Sequence, residues 1–184
     1  MKKLLIVLAV VVAGVAMYVV ITLKSGVEFD EISPLATQEA ALIDDQLESM
    51  SAEMKTEFMR QVEEVKGEVI EQKEAMPSAA RLISSGDFKP RFHSVMGQAL
   101  LIETDGQKIL RFENFETDNG PRLHIYLASD LNDKDFIDLG RIRATKGNVN
   151  YNVDASVDTS RYNKVLVWCV PFGVLFSYAE LMSQ

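Results

Sequence analysis

The chain has 184 residues, 47% of them hydrophobic, and a formal net charge of −8 at pH 7. That length holds one compact domain plus something extra, and too little remains for two full-size domains. The acidic balance provides no basic patch for a phosphate backbone, so nucleic acid is set aside as a partner.

Met1-Lys2-Lys3 precedes Leu4 to Leu23, twenty residues without a charge. A helix of that length, at ~1.5 Å per residue, spans a hydrocarbon layer of ~30 Å. The segment reads as a membrane span or a signal peptide. Because the apolar run continues past the small residues Gly14 and Ala16, an uncleaved single-pass anchor is the favoured reading. Lys2 and Lys3 stand before the span, whereas Glu28, Asp30 and Glu31 follow it. The positive-inside rule then leaves the N-terminus in the cytoplasm and the rest of the chain on the extracytoplasmic side of the cell membrane.

Residues 28 to 76 carry 14 Asp and Glu against 4 Lys and Arg. Ser33-Pro34 is a helix-start signal and Pro77 a stop, so the spacing predicts one long acidic helix between them. Its apolar stripe, Ile43, Leu47, Met50, Met54, Phe58, Val62, Val65 and Val69, recurs close to the ~3.6-residue period of a straight helix. Such a helix is a solvated stalk, a helix lying on its own domain, or a coiled-coil seam joining two copies in a homo-oligomer. Ser78, Ser84, Ser85 and Gly86 mark a linker. The chain thus divides into an anchor (1–27), an acidic helical stalk (28–77), a linker (78–85) and a C-terminal domain (86–184).

Strand signals fill that domain. Gln98 to Thr104 and Lys108 to Phe115 flank Asp105-Gly106, the dipeptide that suits a two-residue type I′ hairpin. Asn119-Gly120-Pro121 is a second turn, and after it Leu123, Ile125 and Leu127 alternate with His124, Tyr126 and Ala128. Phe136 to Ile142, Val149 to Val153, and two strands on either side of Pro171 bring the number to about seven. Short strands with frequent turns predict an all-β antiparallel sandwich or small barrel.

The motifs of this region resemble a known family. They are Gly86-x-Phe88, His93-x-x-x-Gly97-x-Ala99, Leu110-Arg111-Phe112-Glu113-Asn114-Phe115, Asn119-Gly120-Pro121-x-Leu123-His124-Ile125-Tyr126-Leu127, Asp138-Leu139-Gly140, Gly147-Asn148-x-Asn150-Tyr151 and Val167-Trp168-Cys169-x-x-Phe172. In order and spacing they are similar to the DM-thirteen domain, an electron-transfer domain found beside DOMON domains, over residues 86–181. Arg122, where the family commonly has an acidic residue, and Asp154-Ala155, where it usually has proline, depart from the pattern. The resemblance implies an extracytoplasmic β-sandwich in which Cys169 serves redox chemistry, as a thiol or as the ligand of a prosthetic group such as haem.

Cys169 is the only cysteine, so no disulfide forms within the chain. A buried cysteine is ordinarily a small apolar side chain, and a reactive one needs cationic neighbours, for which Arg161 and Lys164 are nearest in sequence. His93 and His124 are the only histidines. With Cys169 they would supply three ligands to a metal or haem iron, with Met96 or Met50 as an axial donor, although no Cys-x-x-Cys-His motif for covalent haem occurs. Trp168 and Cys169 alternate and so face opposite sides of their strand, while Phe172, Val174, Phe176 and Tyr178 share one face.

No serine or cysteine nucleophile with a base motif and no phosphate loop occurs, which points away from a classical enzyme. Three readings stay open. The first is a membrane-anchored redox or electron-transfer module centred on Cys169 and meeting a redox partner. The second is a cell-envelope binding or adhesion module in which the cysteine is core packing. The third is a spacer assembled through the acidic helix.

Overall fold

The computed structural model describes residues 42–183, all within one unit of the chain. The expected span Leu4 to Leu23 and the helix-start signal Ser33-Pro34 lie outside the described residues. Among those described, no helix is long and apolar enough to cross a membrane.

Among the described residues one helix, α1 (Ala52–Val65), is followed by ten strands: β1 (Glu71–Lys73), β2 (Arg81–Pro90), β3 (Val95–Thr104), β4 (Gln107–Thr117), β5 (Leu123–Ala128), β6 (Phe136–Arg141), β7 (Lys146–Val153), β8 (Lys164–Cys169), β9 (Val174–Glu180) and β10 (Met182–Ser183). They form a single curled sheet in the order β1-β7-β4-β3-β2-β9-β8-β5-β6, with β10 added to β2. Every pairing is antiparallel except β1 with β7.

The curl is made at β2. Its first part pairs with β3, and Phe88, Lys89 and Pro90 pair with β9. Gly86 sits at the change of partner, where a Cβ would stand 2.1 Å from the Glu180 carbonyl oxygen. Only glycine lets the two backbones approach that closely. The two halves of the sheet close on one core, with Leu101, Leu110, Phe112, Val149 and Tyr151 from one side and Leu123, Ile125, Val165, Val167, Cys169 and Phe176 from the other. The expected all-β sandwich or small barrel is therefore present, and the Asp105-Gly106 hairpin has both residues at positive φ, 49° and 73°.

The helical region differs from expectation. In place of one long stalk there is a helix of 14 residues, capped by Ser51, whose hydroxyl accepts from Met54 N–H at 3.2 Å. Upstream, Asp45 diverts the chain: its carboxylate accepts from Leu47 N–H at 3.0 Å and from Leu175 N–H at 3.1 Å. These bonds offer the backbone a partner other than a helical turn. Nor does α1 stand free as a stalk. Phe58 and Val62 are buried, and the Phe58 ring lies 5.0 Å from both Phe92 and Phe172. These two members of the stripe that a coiled coil would need are part of this domain's own core.

Downstream, the segment expected to continue the helix becomes β1, and the expected linker at 78–85 supplies the start of β2. Arg111, 3% exposed, holds the connection in place by donating to the carbonyls of Glu74 and Ala75 at 3.1 and 3.2 Å. The Glu74 carboxylate in turn accepts from Asn150 N–H at 2.7 Å and pairs with Arg143. Residues 42–76 are thus built onto the sheet.

Candidate functional site: a sealed thiol

Cys169 ends β8. Val165, Val167 and Cys169 point into the core, while Leu166 and Trp168 belong to a second cluster on the other face, as strand alternation requires. Tyr178 departs from the expected one-faced set. Val167 pairs with Ser177 but Trp168 pairs with Leu175, which leaves Phe176 as an extra residue. This bulge turns Tyr178 to the side of Trp168.

The thiol has no exposed surface, and Sγ donates to the Pro121 carbonyl at 3.3 Å. Burial pushes its pKa up to about 12, against weaker opposing effects from a backbone bond of Phe172 and the charge of Arg122. A group in that state is a neutral thiol and not a thiolate at neutral pH. The cations nearest in sequence play no part here, since Arg161 is bound to Asp135 and Lys164 to Glu180.

The cover over the thiol is the loop Asn119 to Arg122. Asn119 N–H donates to Lys66 O at 3.3 Å, and Arg122 O accepts from Val170 N–H at 3.4 Å. A Cβ on Gly120 would stand 2.5 Å from the Phe176 ring, so the loop rests directly on the aromatic core. Arg122 itself has φ 50°, in the left-handed region that non-glycine residues seldom enter. Sequence reasoning identified the turn but not its role as a cover, because that role depends on which strand lies beneath it.

The two histidines do not converge on Cys169. His124 is the register partner of Trp168, and Leu123 that of Cys169, so His124 projects from the face opposite the thiol. Its Nδ1 lies 2.9 Å from Asp138. His93 is packed against the core, stacked on Phe176 with ring centroids 4.9 Å apart, and its Nδ1 lies 3.0 Å from Asp118. His93 Nε2 is buried without a hydrogen-bond partner, and burial lowers the pKa of the imidazole. Met96 is 59% exposed, and Met50 packs against the core.

Among the described residues, no three His, Cys, Asp or Glu side chains cluster as metal ligands would. A prosthetic group held jointly by Cys169 and His124 does not fit this arrangement: the thiol is protonated and bonded to Pro121 O, and the two residues lie on opposite faces. His93 Nε2, buried and unpartnered, keeps the chemistry of a ligand but has neither Cys169 nor His124 beside it in a cluster.

On the outer face three rings form a series. Phe136, 36% exposed, stacks on Tyr126 at 4.0 Å and 21°, and Tyr126 lies 6.1 Å and 25° from Trp168. Trp168 is buried and bonded through the chain to Cys169.

Sheet, sealed thiol and ring series define a class: a small curled β domain in which one strand, β8, places a covered thiol beside an indole that joins a ring series crossing β5 and β6. The Electron transfer DM13 family matches residues 87–181, more than half of the chain, and the protein belongs to that family. No curated protein and no solved structure matches it.

Proposed function

We propose that this protein is an extracytoplasmic electron-transfer module, held at the membrane by Leu4 to Leu23, in which β8 carries the redox-active residues. The observation that carries this reading is the ring series Phe136, Tyr126, Trp168, which joins a solvent-exposed edge to the residue before Cys169. Stacked aromatic rings in contact couple electronically in a way that aliphatic packing does not, and indole and phenol are the readily oxidised side chains of a protein besides the thiol. Cys169 in its covered state is neither nucleophile nor ligand. Its redox role therefore requires the Asn119 to Arg122 loop to lift.

The test is voltammetry of the purified full chain, with an absorption spectrum and metal assay on the same sample. A reversible couple that is weakened in Tyr126→Leu and altered in Cys169→Ser supports the proposal. A chain with no couple, or one indifferent to both substitutions, overturns it.

A second reading, a cell-envelope binding module with Cys169 as core packing, is favoured by one surface feature. Val69 and Met96, 65% and 59% exposed, line a cleft of about 220 Å3 with Thr145 and Lys146. Exposed apolar side chains gathered at a cleft are a common mark of a contact surface.

A further inference from the structure

The arginines of the described residues are almost all matched with acids. Arg60 pairs with Glu57 and Glu64, Arg81 with Glu103, Arg91 with Asp45 and Glu48, Arg111 with Glu113, Arg143 with Glu74 and Arg161 with Asp135. Arg122 and Arg141 have no hydrogen bond or ion pair to a side chain within the described residues, and both line one cleft of about 520 Å3. In a chain with a net charge of −8, two unmatched arginines lining the same cleft are not accounted for by charge balance.

The local chemistry narrows what the cleft would take. Asp138, three residues from Arg141, is engaged by His124 Nδ1 and by Gly140 N–H at 2.8 Å. Glu68 also lines the cleft and offsets one of the two charges. The rest of the wall includes Val65, Ile70 and Ile142, with Ile70 40% exposed. Arg122 is placed by a backbone at φ 50°, a conformation with an energetic cost that neighbouring bonds hold in place. A guanidinium presents a planar fork that matches the oxygens of a carboxylate or phosphate. A volume of this order suits a small molecule, with apolar walls holding its body and a few polar groups fixing its orientation.

We propose that this cleft is a binding site for a small amphipathic anion, its carboxylate or phosphate gripped by Arg122 and Arg141 and its apolar body lying on Val65, Ile70 and Ile142. The site does not require Cys169 to be redox-active, so it stands or falls separately from the electron-transfer reading.

The experiment is calorimetric titration of the full chain in detergent with n-butyl phosphate, pentanoate, inorganic phosphate and, as the neutral control, n-butanol. Butyl phosphate or pentanoate is expected to bind with a dissociation constant of about 1 mM or tighter, more strongly than inorganic phosphate, while butanol gives no signal. The anion that binds more tightly identifies the headgroup. The double variant Arg122→Gly with Arg141→Gln is expected to lose at least about tenfold in affinity, whereas Arg81→Gln keeps it. Glycine at 122 suits the positive φ, so this variant tests the guanidinium without straining the loop. Absence of binding by both amphipathic anions, or equal affinity in the double variant, overturns the proposal.

Discussion

Cys169 and His93 are two groups whose charged forms the fold resists, the thiolate in one case and the imidazolium in the other. With the thiol pKa moved from 9.0 to about 12 by burial, the thiolate fraction at pH 8 falls roughly a thousandfold. Iodoacetamide should therefore label the native protein at least that much more slowly than the unfolded chain, and rapid native labelling would show that the covering loop opens readily. The folded pKa lies above the unfolded one, so the stability this thiol contributes is complete below about pH 9 and lost as pH rises toward 12. His93 behaves oppositely. Its folded pKa is lowered from 6.5, so the unfolded chain takes up the proton first. Its contribution is present above pH 6.5 and lost as pH falls below that value. Replacing His93→Phe keeps a ring against Phe176 and should flatten the fall in Tm between about pH 6.5 and pH 5, while the acid-side loss from carboxylates persists at lower pH.

At the scale of elements, α1 contributes more through burial than through length. Phe58 is fully buried against Phe92, Phe172 and Phe176, whereas Met59 beside it is 49% exposed. Phe58→Ala should cost about 3–5 kcal/mol in denaturant unfolding, and Met59→Ala no more than about 0.5 kcal/mol. Equal effects would mean that the helix does not rest on the domain in solution. The helix signals were readable only in part. The apolar period is real over residues 52–65, but Asp45 and Ser51, which bring the chain out of a longer helix, act through bonds to the sheet and to the cap. Strand β1 was unreadable, because Glu71-Gln72-Lys73 has no apolar residue. It forms through backbone pairing with β7, where Gly147 at φ 116° leaves space for Gln72. By contrast, the hairpin at Asp105-Gly106 depends on two adjacent residues and could be read directly.

At the scale of the whole molecule, the family match and the folded unit have different limits. The match begins at residue 87, inside β2, and leaves out α1, β1 and the pairs that β2 makes from Arg81 to Gly86. A fragment of residues 87–181 should lose cooperative unfolding or become insoluble, while one beginning at 42 keeps a sharp transition in thermal circular dichroism. Two equally stable fragments would show the N-terminal segment to be dispensable. The same distance between sequence and space separated the candidate site. Cys169 and Trp168 were correctly placed on opposite faces by alternation, but the position of His124 relative to the thiol depended on the register of β5 against β8. No pattern within either strand encodes that register. The segment between Leu42 and Ser51 has a mechanical consequence as well. A pull from the N-terminal side of Leu42 would first load the bonds from Asp44 N–H to Leu131 O, Gln46 N–H to Gly173 O and Leu175 N–H to Asp45. These yield one after another, as a zip does, so tension would strip this segment away before it reached the strands around Cys169.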